Sequence, residues 1–216
     1  NEPRREALCT LGNGYFATRG AGEESHDDGT RYPGTYLAGG YNRLKSKVAG
    51  EIIENEDFVN FPNWLVLSFK PEGGKWLDLS NTQLLDYKQN LLLKKGVLER
   101  IIRVEDNDGK ITSIHSRRLV HMQYQHIGAI QWKLIPENWS GKIHIKTALD
   151  GTVQNNNVAR YRDLRGDHLK PANTGEINAE GFFLETETKQ SGIKMAQAAR
   201  IRLFENNRLQ AAQKST

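Results

Sequence analysis

Four carboxylates crowd together at Glu51, Glu54, Glu56 and Asp57, just ahead of Asn60-Phe61-Pro62-Asn63-Trp64. Acid–base cleavage of a glycosidic bond needs two positioned carboxylates, or one acid and a bound phosphate. On a strand Glu54 and Glu56 would share a face. Such runs are far more often solvated edges or loop caps than acid–base pairs, so no residue is assigned a catalytic role. The histidines are His26, His115, His121, His126, His144 and His168. None has the spacing of a known zinc motif, and all six read as surface or hydrogen-bonded side chains. No metal is implied. The single cysteine, Cys9, cannot form an internal disulfide. Nothing therefore points to an oxidising compartment, and Cys9 reads as a small half-buried residue.

Sugar sites use exposed aromatic faces beside planar polar groups. Trp132 shares an apolar strand face with Ile130 and Leu134 and reads as core. Trp64 begins an apolar run and reads as core or interdomain packing. Tyr41 and Asn42 follow Gly39-Gly40 and form the more exposed pair. Arg19, flanked by Thr18 and Gly20-Ala21, offers a planar fork of donors past a nearly bare backbone. It reads as a structural ion pair pinning the N-terminal segment, for example to one of Glu51 to Asp57.

The elements that would position these residues are strands. Val97 to Glu105 places Leu98, Ile102 and Val104 on one face, with Arg100 interrupting it. Lys142 to Leu149 alternates, with Ile143, Ile145, Thr147 and Leu149 on one side. Trp64 to Phe69 is strongly apolar, as for a strand covered on both faces. Phe182 to Lys189 and Gly192 to Phe204 complete the set. Turns are marked by Pro71-Glu72-Gly73-Gly74, Asp106-Asn107-Asp108-Gly109 and Asn138-Trp139-Ser140-Gly141. Asn155 to Asn178 is polar, contains three adjacent asparagines, and reads as a long loop. Leu11 to Ala21 reads as turn, short strand, turn, its three glycines allowing positive φ or close approach of another segment.

Composition bounds the partners. The 216 residues are 37% hydrophobic and 26% charged, enough for a packed core. No apolar run approaches the ~20 residues a membrane span needs. The charged start, Asn1 to Glu6, has no apolar signal region, so a cytoplasmic location is the expectation. The net charge is +4, but 26 acidic residues lie among 30 basic ones, and Arg117-Arg118 has no basic neighbours. A nucleic-acid groove should show a basic stripe with interleaved aromatics. The charge reads as solvated surface.

Five segments in register carry a resemblance. They are Leu11 to Ala21, Tyr32 to Asn42, Asn60 to Trp64, Pro136 to Gly141 with Ala148 to Gly151, and Val158-Ala159-Arg160-Tyr161. In that order they resemble the N-terminal domain of glycoside hydrolase family 65, from about Arg5 to Phe204. The family contains maltose, trehalose, kojibiose and nigerose phosphorylases and some α-glucoside hydrolases. The resemblance implies a large antiparallel β-sandwich, of the supersandwich or galactose-mutarotase type, over residues 1–216. It implies that the chain is a piece cut from a longer protein at both ends, lacking the catalytic (α/α)6 barrel. The piece would be non-catalytic and would need no cofactor. Its partner would be its own barrel, in a parent that cleaves an α-linked glucosyl disaccharide with phosphate or water, as a homodimer. A free-standing carbohydrate-binding module is the alternative. Asn60 to Trp64 and Gly39 to Asn42 are then candidates for an apolar interdomain face, with Tyr41, Asn42 and Trp64 the residues to watch.

Overall fold

The computed structural model describes residues 1–156 and 163–211, so the Val158 to Tyr161 segment lies outside the described residues. One short helix, α1 (Glu2–Leu8), opens the chain. Strands β1 (Leu11–Gly12), β2 (Phe16–Thr18) and β3 (Thr35–Leu37) follow, then β4 (Tyr41–Val48) and β5 (Glu51–Phe58). Next come β6 (Leu67–Pro71), β7 (Gln83–Leu92), β8 (Val97–Glu105), β9 (Ile111–Val120), β10 (Gly128–Pro136) and β11 (Ile143–Thr147). The last are β12 (Leu169–Asn178), β13 (Gly181–Thr188), β14 (Lys194–Arg200), β15 (Leu203–Glu205) and β16 (Arg208–Gln210). Among the described residues strands make up 52% and helix 3%, and every strand pair is antiparallel. The fold is all-β, consistent with a β-sandwich.

The chain forms two compact units interleaved in sequence. The first takes residues 1–39 and 65–148, the second 40–64 and 149–216. The first is built on a four-stranded meander, β10-β9-β8-β7. Its register follows from period-two burial. Leu98, Arg100, Ile102 and Val104 of β8 are buried, and so are Thr112, Ile114, Ser116 and Arg118 of β9. Antiparallel pairing sets Ile102 opposite Ile114 and Leu98 opposite Arg118, because a one-residue slip would turn every apolar side chain to solvent. Phe69, Ile102, Val104 and Ile114 form the main core, with Trp132, Leu134 and Trp139 against it. A second cluster of Leu11, Leu98 and Val120 carries Cys9 and Phe16 at its edge. The Asp106 turn is closed by Gly109 donating to the Asp106 carbonyl at 3.0 Å, with Gly109 at φ 74°.

In the second unit β4 pairs with β5, and β12-β13-β14 form a three-stranded sheet. The expected loop from Asn155 to Asn178 is corrected here: its second half is β12. Polar residues sustain that strand because it is an edge with most of its side chains in solvent. Two register irregularities, at Pro171/Asn173 and Glu176/Asn178, explain why no clean alternation marked it. The expected strand from Gly192 to Phe204 is two strands, β14 and β15.

Ile102 has no exposed surface, whereas Ile52 is 75% exposed. In urea denaturation, Ile102→Ala is expected to cost about 2–5 kcal/mol, and Ile52→Ala to change stability by less than about 0.5 kcal/mol.

Candidate functional site

Two polar constellations, one in each unit, hold the described groups best placed for chemistry. The first surrounds Arg100. The alternation that buries Leu98 and Ile102 also buries Arg100, 4% exposed in mid-strand. A buried guanidinium must find carboxylates, and the segment after β2 supplies them. Arg100 Nη1 donates to Glu23 Oε2 at 2.8 Å and to Glu24 Oε2 at 2.9 Å, and Nη2 donates to Glu24 Oε1. Glu24 and Glu23 hold the Arg100 pKa far above its ordinary value against the opposing effect of burial. Arg118, from β9, sits beside them. Its Nη2 donates to the Ala21 carbonyl at 2.9 Å, and its Nη1 lies 3.7 Å from Glu23 Oε1. Burial, reinforced by the like charge of Arg100, lowers the Arg118 pKa against the attraction of Glu23. Two cations and two carboxylates thus lock residues 19–24 onto the sheet. Gly22 is needed here. A Cβ on it would meet Glu24 Oε1 at 2.5 Å and Arg100 Cζ at 3.0 Å. This cluster also corrects the solvated reading of the charges. Arg117 is outside, paired with Glu99, but Arg118 and Arg100 are core.

The second constellation centres on Asn42. Burial alternates along β4, leaving Tyr41 outward and Asn42 inside at 1% exposure. Asn42 Oδ1 accepts from the backbone N–H groups of Gln190 and Ser191, both at 2.9 Å. That orients the amide, so Nδ2 faces His168 Nδ1 at 2.9 Å and donates to it. His168 therefore carries its proton on Nε2, which lies 3.1 Å from Asp57 Oδ2, near but poorly aligned for a hydrogen bond. Burial lowers the His168 pKa, and Asp57 opposes that shift. The imidazole is a buried neutral tie between strands.

This tie frames a pocket of about 230 Å³ lined by Arg43, Leu44, Lys45, Glu54, Arg165, Lys189 and Gln190. Arg165 grips Asp167 with Nε at 3.0 Å and Nη2 at 2.8 Å, and Lys189 Nζ reaches the same carboxylate at 2.6 Å. These contacts, the Arg165 bond first, hold the Asp167 pKa far below the usual carboxylate range. The Arg165 backbone N–H donates to Ser46 Oγ at 2.8 Å, fixing that wall.

The candidates from sequence separate. Tyr41 is 49% exposed and packs on Phe58, ring centroids 5.1 Å apart. Asn42, its neighbour in the chain, faces inward as a structural hub, so the two are not an exposed pair. Asn60, Phe61 and Asn63 are buried, and Asn63 bridges Asp150 through two backbone bonds of 2.8 and 2.9 Å. Within that segment Trp64 alone is half-buried rather than buried. Arg19 donates to the carbonyls of Tyr32 at 3.0 Å and Pro3 at 3.2 Å, and its carboxylate partner is Glu6 on α1, at 3.5 Å. The Glu51–Asp57 run that sequence suggested as its partner is used otherwise. Glu54 and Glu56 face Arg43 and Lys45 across β4–β5, and Asp57 faces His168. Sequence reasoning missed Glu6, Glu23 and Glu24; His168, read with the other five as a surface or hydrogen-bonded histidine, is a hydrogen-bonded one. The one signal was Arg100 interrupting an apolar face.

The buried charges of this all-β chain tie its own segments together. The family model described as glycosyl hydrolase family 65, N-terminal domain, matches residues 1–216, and the chain belongs to that family. It is 41% identical over 212 residues to an uncharacterized glycosyl hydrolase of Mycobacterium tuberculosis (strain H37Rv), covering 98% of this chain and 16% of that protein. It is 35% identical over 202 residues to a kojibiose phosphorylase of Thermoanaerobacter brockii, covering 94% of this chain and 24% of that protein. An α,α-trehalose phosphorylase of the same organism is 30% identical over 203 residues, covering 89% and 26%. The chain thus spans about a sixth to a quarter of the length of these relatives.

Two outcomes are expected. Arg100→Met leaves Glu23 and Glu24 buried without their cation, and should cost about 3–5 kcal/mol in denaturant. For His168 the folded pKa lies below the ordinary 6.5. The unfolded chain takes up its proton first, so His168 favours folding above pH 6.5, and that contribution falls away as pH drops below it. The stability of the wild type should fall with a slope of up to about 1.4 kcal/mol per pH unit from this group. The slope should be shallower in His168→Gln, as read from denaturation midpoints between pH 7 and pH 5.

Proposed function

We propose that this chain is the non-catalytic N-terminal domain of a longer family 65 protein that cleaves an α-linked glucosyl disaccharide with phosphate or water. Its role is to brace a catalytic (α/α)6 barrel within a cytoplasmic homodimer. The observation that carries this is the match of the N-terminal family model across residues 1–216, with kojibiose and trehalose phosphorylases among the relatives. The geometry agrees. Glu23 and Glu24 are committed to Arg100, Glu6 to Arg19 and the Tyr32 amide, and Asp57 to His168. These carboxylates hold segments together and do not converge on an open cleft as an acid pair would. Tyr41 and Trp64 supply apolar surface suited to a neighbouring domain or a sugar, and Arg19 acts as a structural ion pair.

In the parent reaction a barrel carboxylate would protonate the departing sugar oxygen while phosphate attacks the anomeric carbon from the opposite face. Inversion would give β-glucose 1-phosphate. The 216-residue chain alone, incubated with phosphate and maltose, trehalose, kojibiose or nigerose, is expected to release neither glucose nor glucose 1-phosphate above a blank. Release that disappears in Glu54→Gln or Glu56→Gln would overturn the reading.

A further inference from the structure

We propose that the pocket between β4, the Arg165–Asp167 segment and Lys189 is a binding site for a phosphate group, carried by a sugar phosphate or free in solution. Four cationic side chains line it, Arg43, Lys45, Arg165 and Lys189, against the single lining carboxylate Glu54. Their internal partners leave donors over. Arg43 gives Nε to Glu56 at 3.1 Å, while its Nη1 stands 4.0 Å from Glu54. Lys45 lies 3.8 Å from Glu54, beyond hydrogen-bond length. Arg165 uses Nε and Nη2 on Asp167, and Lys189 shares that same carboxylate. Asp167 already does what a bound anion would do: it sits between a guanidinium fork and an ammonium and neutralises both. A phosphate group suits the same fork, with more acceptor oxygens and a second negative charge.

The walls are held before any ligand arrives. Asn42 fixes the Gln190 and Ser191 amides, Ser46 fixes the Arg165 amide, and Leu44 is buried beneath. The backbone of the walls is therefore set before binding, while the charged side chains on it stay exposed and able to turn to a ligand. A volume of about 230 Å³ admits more than a bare phosphate. On the same face of the β4–β5 hairpin, two residues along from Arg43, the exposed Tyr41–Phe58 pair offers a surface for a sugar ring. The site is independent of the barrel chemistry, so its failure would leave the family reading standing, and the reverse.

The test is titration calorimetry of the 216-residue chain at fixed ionic strength, with inorganic phosphate and glucose 6-phosphate as probes and chloride as control. Saturable binding is expected with a Kd on the order of 1 mM. Lys189→Gln and Arg165→Gln should each weaken it about tenfold, one charge-assisted contact being lost. Asp167→Asn, checked for folding by circular dichroism, should tighten it severalfold, because the internal competitor is neutralised. Tighter glucose 6-phosphate binding that falls to the phosphate value in Tyr41→Ala assigns the ligand as a sugar phosphate. Equal affinities that keep the same charge-variant pattern assign free phosphate. No saturable binding of either probe, or binding unmoved by all three charge variants, overturns the proposal.

Discussion

The first unit depends on one awkward fact: β8 places a guanidinium where its neighbours place aliphatic groups. Desolvating Arg100 without partners would cost more than a single domain can spare. The carboxylates of Glu23 and Glu24 answer it, and to do so residues 20–25 must lie against the sheet. Ala21, Ser25 and the Glu23 carbonyl, which accepts from Leu67, are then fixed as well. Such a cluster is a poor source of net stability compared with apolar packing. What it supplies is position, because the segment must follow a path that brings both carboxylates to Arg100.

The second unit solves a similar problem with neutral groups. Asn42 has one acceptor and two donor positions, and all are used on different segments: Gln190 and Ser191, His168, and its own strand at Arg43. Each buried side chain in this chain of bonds dictates the state of the next. The asparagine orientation decides the histidine tautomer, and the tautomer puts the proton on the ring nitrogen that faces Asp57. The charged groups of the pocket rim stand outside that neutral frame, exposed enough to exchange partners.

Strand alternation and turn chemistry made much of the fold legible. Val97 to Glu105 is a strand with those bounds, and the Asp106, Pro71 and Asn138 turns stand between strands. Such signals are local. β12 was hidden because its sequence is polar and its register is broken twice. The short helix α1 was hidden because its seven residues give too few turns for an amphipathic pattern, though Asn1 caps it and Pro3 lies in its first turn. The polar clusters were illegible for a different reason. Glu23 meets Arg100, and Asn42 meets His168, across 77 and 126 positions. Composition cannot announce such pairings. Only Arg100, as a break in an apolar face, hinted that something distant must come to it.

Those separations also set an order of events during synthesis. Glu23 leaves the ribosome 77 residues ahead of the arginine that neutralises it. At ~5–20 residues per second that interval is roughly 4–15 s. Asn13 waits longer still, since its side chain clamps the carbonyls of His121 and Gln125, 108 and 112 residues downstream. Throughout that time the glycine-rich segment from Leu11 to Ala21 has its local β1–β2–β3 pairing but lacks the β8–β9 surface it packs on. Its contacts with Arg100 and Arg118 can form only once the β8–β9 hairpin has emerged, so this segment is made well before it can be completed.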